Sequence, residues 1–479
     1  MDELQEPSSP DERRTLWAIV LAVLAVRLMV WAGTYTFGTD SAALLRMAEL
    51  MRGGAWHDAL KINYHPGYPA VTAAVSWIVG DIERSAFLVS ILAGSLAVVP
   101  LYLMARDFFG RPTALVTVAL YALHYALVEL HVDVMTEGLY CAALFGAIWM
   151  GRRFIDTNRL FWALGAGVLA AGAYLVRHDG LIAICGLTCW FLFEAVRRRD
   201  RSSGDLVLAT ALAVGAFFIA SMPFLVWVRG EVGGWATTAK GSGTPLKNLL
   251  EGRIVSHQGG VTWKAIMAFV QELNSYVLLV PLAAGLGLAW SAERWKRLYL
   301  LSWAVAYFLG VGYTMQGMGY VSYRYLVPGF CLLLPFTAWG LLRLVDRLPE
   351  RIRVRSAIAA TLVLGLLIGY KSFDVNRWED VPLIRAGEWI RANSSKRPDI
   401  LTTRDKVVWY AKGNLKLAPQ SIQDAVSADF VVFTERDWIR KEWPFMPEMD
   451  ADPRFERIAD DFASGRKGQR PVRVYRVRK

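Results

Sequence analysis

At 479 residues, 54% of them hydrophobic and 19 of them tryptophan, the chain carries several apolar runs near bilayer-spanning length, which excludes an ordinary soluble multidomain protein. The net charge is +11, but Lys and Arg gather in short segments between the apolar runs, as in cytoplasmic loops facing anionic lipid, so nucleic acid is not an expected partner. Cys141, Cys185, Cys189 and Cys331 all fall inside apolar runs and show neither a disulfide framework nor metal-ligand spacing.

Residues 1 to 15 are acidic and rich in Pro and Ser, and no small-residue cleavage site follows Arg13-Arg14, so they read as a cytoplasmic tail before an uncleaved first span. That span, 16 to 33, carries Arg27 near its far end, where a polar cavity would receive it. A first outer loop, 34 to 84, follows. Within it, residues 41 to 52 place Leu44, Met47, Ala48 and Met51 on one helical face and Arg46, Glu49 and Arg52 elsewhere, which predicts a helix lying on the membrane surface and ending at Gly53-Gly54. After His65-Pro66-Gly67-Tyr68-Pro69 the apolar segment to Val79 is short for a span and reads as a second interfacial helix.

Charge sets the phase of the remaining spans. With the second at 85 to 105, the segments ARDFFGR (105 to 111), GRR (151 to 153), RRRDR (197 to 201), AERWKR (292 to 297) and RLPERIRVR (347 to 355) all fall on the cytoplasmic side. The other spans are then 113 to 130, 134 to 151, 160 to 176, 180 to 196, 206 to 228, 273 to 291, 298 to 315, 324 to 343 and 356 to 373, which makes an α-helical polytopic membrane domain, 16 to 373, of about eleven helices. A second long outer loop covers 229 to 272, and no internal repeat suggests a transporter built from two similar halves. From 374 to 479 the composition is that of a soluble domain, with strands expected at 400 to 403, 429 to 434 and 471 to 477 and helices at 383 to 392 and 406 to 412. This reads as a small extracytoplasmic α/β domain without a Gly-rich phosphate loop or a nucleophile elbow.

This topology gathers polar residues on the outer face of the membrane. Asp40, after Thr39, opens the helix at 41 to 52; a helix cap and a functional carboxylate are both open readings. Asp133 and Glu137 are four residues apart at the outer end of a span, with His131 two residues before Asp133; first-turn acids and a weak metal spacing are the alternatives to an acceptor-orienting role. His65, Arg177, His178 and Arg324 run against the positive-inside trend and suit a lipid phosphate, although Arg177 can also pair with Asp179. The loop GSGTPLK, 241 to 247, lacks the ending of a nucleotide loop and reads as a lid.

The ordered series GTDSAALLRMAELM, HPGYP, ARDFFGR, DVMTEGLY, LVRHDG and YRYLVPGFCLLLP, over residues 15 to 345, resembles the GT-C superfamily of membrane glycosyltransferases. Within it the chain is similar to the branch of protein O-mannosyltransferases, lipid A aminoarabinose transferases and bacterial galacturonosyl transferases. The resemblance implies that Asp40 is the catalytic base, that Asp133 and Glu137 form a second acidic motif, and that His65, Arg177 and Arg324 hold a donor phosphate. The chain departs from the aminoarabinose transferases at His65, where they have Lys, and at Gly67, where they have a second Pro; His178 stands where relatives often have Pro. The implied reaction is inverting transfer of a sugar from a polyprenyl-phosphate donor to a hydroxyl of a lipid, glycan or protein, at the outer face of the plasma (inner) membrane. No cofactor and no obligatory metal are expected. A lipid-linked sugar flippase and a non-catalytic scaffold are the alternative classes.

Overall fold

The computed structural model describes residues 10–38, 41–62, 64–197, 203–236, 276–288, 294–318, 322–374, 377–416, 422–434, 446–458, 462, 469 and 471–478. Asp40 and the loop at 241 to 247 lie outside the described residues. The chain divides into two units: Met1–Val30 with Leu50–Asp374, and Trp31–Glu49 with Val375–Lys479.

The first unit is a helical bundle. Its helices are α1 (Pro10–Ala32), the last turn of α2 (Ser41–Arg52), α3 (Trp56–Leu60), α4 (Gly67–Val79), α5 (Ile82–Leu96), α6 (Val98–Phe109), α7 (Arg111–Leu123), α8 (Tyr125–His131), α9 (Glu137–Thr157), α10 (Leu160–Val176), α11 (Leu181–Arg197), α12 (Ser203–Val232), α13 (Tyr276–Leu288), α14 (Arg294–Met318), α15 (Val327–Val345) and α16 (Glu350–Gly369). Among the described residues each of the eleven expected spans overlaps a helix, but only six helices are long and apolar enough to cross a membrane, or seven with one bent pair. The chain is a multi-pass integral membrane protein. The lower number has physical reasons. Helices α10 and α13 are short, and α9 opens on Glu137 and closes on Arg152, Arg153 and Asp156. The span expected at 113 to 130 is two helices, α7 and α8, bent by 62° where His124 takes an extended backbone conformation.

Helix α2 covers the residues the periodicity predicts, with Leu44, Met47, Ala48 and Met51 buried and Glu49 exposed. Helix α4 leaves Trp77 71% and Ile78 89% exposed near its end, where Arg52 lies over the Trp77 ring and donates to the Gly80 carbonyl. An apolar surface of this kind beside a cation suits a lipid headgroup boundary.

The second unit is built on a five-stranded mixed sheet in the order β2-β1-β3-β5-β4, with β1 Asp399–Thr402, β2 Asn414–Lys416, β3 Phe430–Thr434, β4 Phe455–Ile458 and β5 Val472–Val477. Strand β1 runs parallel to β2 and β3, while β5 is antiparallel to β3 and β4. The central strand β3 is buried along its whole length, as a strand covered on both faces must be. On one face α17 (Val381–Ala392) and α18 (Asp405–Ala411) supply Leu383, Ala386, Ile390, Val407 and Val408 to a core with Ile400, Val432 and Val474. On the other, Ala425, Met449 and Phe455 pack with Val431, Phe433 and Tyr475.

Candidate active site

The site residues of the bundle unit come from helix ends. Between α8 and α9 the chain turns through Asp133, whose Oδ1 accepts from the Val134 amide at 2.7 Å. This turn is pinned from below. The Ser90 hydroxyl on α5 donates to the Met135 carbonyl at 3.1 Å, and the Tyr68 hydroxyl on α4 reaches Ser90 Oγ and the Ala86 carbonyl oxygen, each at 2.9 Å. Gly138 lets α9 start this close to α5, since a Cβ there would sit 2.8 Å from the Ser90 carbonyl oxygen.

Glu137, the first residue of α9 and 1% exposed, accepts from Arg177 Nη1 at 2.8 Å. Arg177 leaves the end of α10 in an extended conformation, and its other two nitrogens grip Asp179 at 3.0 and 3.1 Å. The Tyr307 hydroxyl donates to Asp179 Oδ2 at 2.9 Å, and the rings of Tyr140 and Tyr325 lie 5.2 and 4.9 Å from the guanidinium. Burial opposes the charge of Arg177, but the Asp179 and Glu137 carboxylates outweigh it and hold its pKa above the usual range. The guanidinium is therefore permanently charged and already shared between two carboxylates.

Arg324 sits in a short 3-10 turn before α15 and lies over the same Tyr325 ring, whose hydroxyl takes a hydrogen bond from its Nη2 at 3.2 Å. Its Nη1 points to Met135 Sδ at 3.8 Å, so this cation reaches the acidic turn itself. His65 packs against Tyr174, Phe224 and His178, with ring centroids 5.3, 5.1 and 6.1 Å away. Among the described residues no group of three or more His, Cys, Asp or Glu side chains could hold a metal ion.

Residues 64–227, which hold His65, the acidic turn and Arg177, match the family described as dolichyl-phosphate-mannose-protein mannosyltransferase. That match covers about a third of the chain. No curated protein sequence matches it. Its fold is similar to that of ArnT from Cupriavidus metallidurans bound to undecaprenyl phosphate, with a TM-score of 0.66 at 13% identity over 95% of this chain and 97% of that one. It is also similar to the Archaeoglobus fulgidus oligosaccharyltransferase in complex with zinc and sulfate, with a TM-score of 0.64 at 14% identity over 87% and 67% of the two chains. The arabinofuranosyltransferase AftD from Mycobacteria gives a TM-score of 0.58 at 14% identity; the match covers 98% of this chain and 40% of that one.

Six of the seven residues singled out in the sequence lie at linked ends of α4, α8, α9, α10 and α15: His65, Asp133, Glu137, Arg177, His178 and Arg324. The pairing of Arg177 with Asp179, the alternative to a phosphate-binding role, is present, and Glu137 joins it from forty residues away. His131 does not turn toward Asp133. Its Nδ1 accepts from Arg27 Nη2 at 2.9 Å, and both residues are fully buried. Tyr68, Tyr140 and Tyr325 lie inside the motifs HPGYP, DVMTEGLY and YRYLVPGFCLLLP without having been singled out, and Tyr307 lies in an apolar run, where a tyrosine reads as an ordinary span residue.

Proposed function

We propose that this chain is a GT-C type glycosyltransferase that moves a sugar from a polyprenyl-phosphate donor to an acceptor hydroxyl, inverting the anomeric centre, at the extracytoplasmic face of the membrane. The reading takes eleven crossings in residues 16 to 373, a cytoplasmic tail of residues 1 to 15 and an extracytoplasmic domain over 374 to 479. The family match at 64–227 and the likeness to a structure that holds undecaprenyl phosphate support the donor class.

One observation carries the division of labour: Arg177 is saturated by Glu137 and Asp179, while Arg324 reaches the acidic turn itself, its Nη1 3.8 Å from Met135 Sδ. Its reach to the acidic turn and its place in the motif series assign Arg324 as the cation that meets the leaving phosphate, with His65 and His178 as further phosphate contacts. Arg177 holds Glu137 and the start of α9 in place, so that Asp133 and Glu137 orient the sugar or the acceptor. Asp40, assigned on its motif, takes the proton from the attacking hydroxyl; the phosphate leaving group needs no strong acid. No step requires a metal.

The test uses the full chain in lipid nanodiscs with a panel of undecaprenyl-phosphate-linked hexoses and short glycan acceptors. Product with the opposite anomeric configuration is expected, and Arg324→Ala should lower kcat by about 10²-fold, the usual loss for one preorganised donor to a developing oxyanion. Retained configuration, or an Arg324→Ala enzyme as fast as the parent, overturns the reading.

A further inference from the structure

Residues 31 to 49, on both sides of Asp40, belong to the same compact unit as the C-terminal sheet, and their contacts with it are specific. Thr36 is 1% exposed and Phe37 fully buried, although both lie in a loop. The Thr36 hydroxyl meets the Tyr410 hydroxyl at 3.0 Å, and the Phe37 ring stacks on the Tyr410 ring at 5.7 Å with an interplanar angle of 17°. The Lys406 ammonium lies 5.5 Å from the centre of the Phe37 ring and is itself held by Asp380 at 2.6 Å. At the far end of the segment Lys412 faces Glu49 at 3.9 Å. Two residues of one short helix, α18, and Lys412 just after it thus contact both ends of the stretch that contains Asp40.

The helix that provides these contacts is rigidly placed. Val407, Val408 and Ala411 are buried in the sheet core, and Gly387 on α17 lies so close that a Cβ there would sit 2.7 Å from Tyr410 Cβ. Asp40 follows Phe37 by three residues in the sequence, a reach of at most about 11 Å of extended chain.

We propose that the C-terminal unit is a clamp on the first loop, with Tyr410 and Lys406 as positioning residues that fix Thr36 and Phe37 and through them Asp40. The clamp rests on these contacts; its catalytic consequence rests on Asp40 being the base, as proposed above. Sugar chemistry has no part in it. A domain whose sequence shows neither a nucleophile elbow nor a Gly-rich phosphate loop thereby acquires a role in transfer.

Hydrogen exchange of the full chain in detergent micelles tests the clamp without any substrate. Tyr410→Phe keeps the ring stack and loses the hydroxyl, and Thr36→Val loses the other partner; each should speed exchange in residues 34 to 44 about fivefold, the opening expected from one hydrogen bond. The double variant should exchange no faster than either single one, and Asp40→Asn should leave exchange unchanged. The transfer assay then tests the consequence: Tyr410→Phe should lower kcat at unchanged KM for the lipid-linked donor and have no further effect in an Asp40→Asn background. Unchanged exchange in Tyr410→Phe overturns the clamp, and faster exchange at unchanged kcat overturns its positioning role. If the unaltered chain transfers no sugar, the glycosyltransfer reading fails while the exchange result still decides the clamp.

Discussion

Arg177 and Arg27 are both buried arginines in the bundle unit, and the protein satisfies them in opposite ways. Arg177 has two carboxylates, Glu137 and Asp179, a tyrosine hydroxyl on the second of them and two aromatic faces. Arg27 has no carboxylate among the described residues; it donates to His131 Nδ1 and to the Val23 carbonyl and lies 5.2 Å from the centre of the Tyr121 ring. Because a guanidinium can only donate, His131 must be neutral with its proton on Nε2, an atom buried with no hydrogen-bond partner. A saturated cation holds carboxylates in a fixed geometry, as a site needs. A cation resting on a neutral ring holds only a helix crossing, between α1 and α8.

Removing the cation from each cluster should separate them. Arg177→Met leaves Glu137 and Asp179 buried and facing each other, and should lower the stability of the detergent-solubilised protein by about 3–5 kcal/mol in thermal unfolding. A loss near zero would mean that the two carboxylates do not need the cation. Tyr307→Phe removes one hydrogen bond to the Asp179 carboxylate and should cost about 1.5–3 kcal/mol by the same measurement. The smallest change is expected at the other cluster. Arg27→Met combined with His131→Leu replaces the whole polar pair by apolar groups, and stability should stay within about 1 kcal/mol of the parent. A large loss from that double variant would show that Arg27 is compensated as fully as Arg177.

The sequence makes the bundle legible because apolar runs and flanking cations report the helices directly, as at α11 and α15. It does not reveal the 62° bend between α7 and α8, which depends on the backbone of one residue, His124. In the C-terminal unit the three expected strands correspond to β1, β3 and β5, whose four to six residues are apolar enough to stand out. Strands β2 and β4 are edges of three and four residues, too short to show alternation, and escape sequence reading. At the site, local pairs were visible and distant ones were not. Arg177 and Asp179 are two residues apart, while Glu137, Tyr307 and Arg324 arrive from 40 to 147 positions away, and Thr36 meets Tyr410 across 374. Those partners are set by helix packing and by the fold of the sheet domain, which residue patterns do not encode locally.

The most direct measurement is transfer by Asp40→Asn in nanodiscs, with undecaprenyl phosphate binding and thermal unfolding measured on the same sample. Transfer should disappear while lipid-phosphate binding and stability stay at parental values, because Asn caps a helix nearly as well as Asp but cannot accept the hydroxyl proton. An Asp40→Asn enzyme that transfers sugar at the parental rate would contradict the assignment of Asp40 as the base.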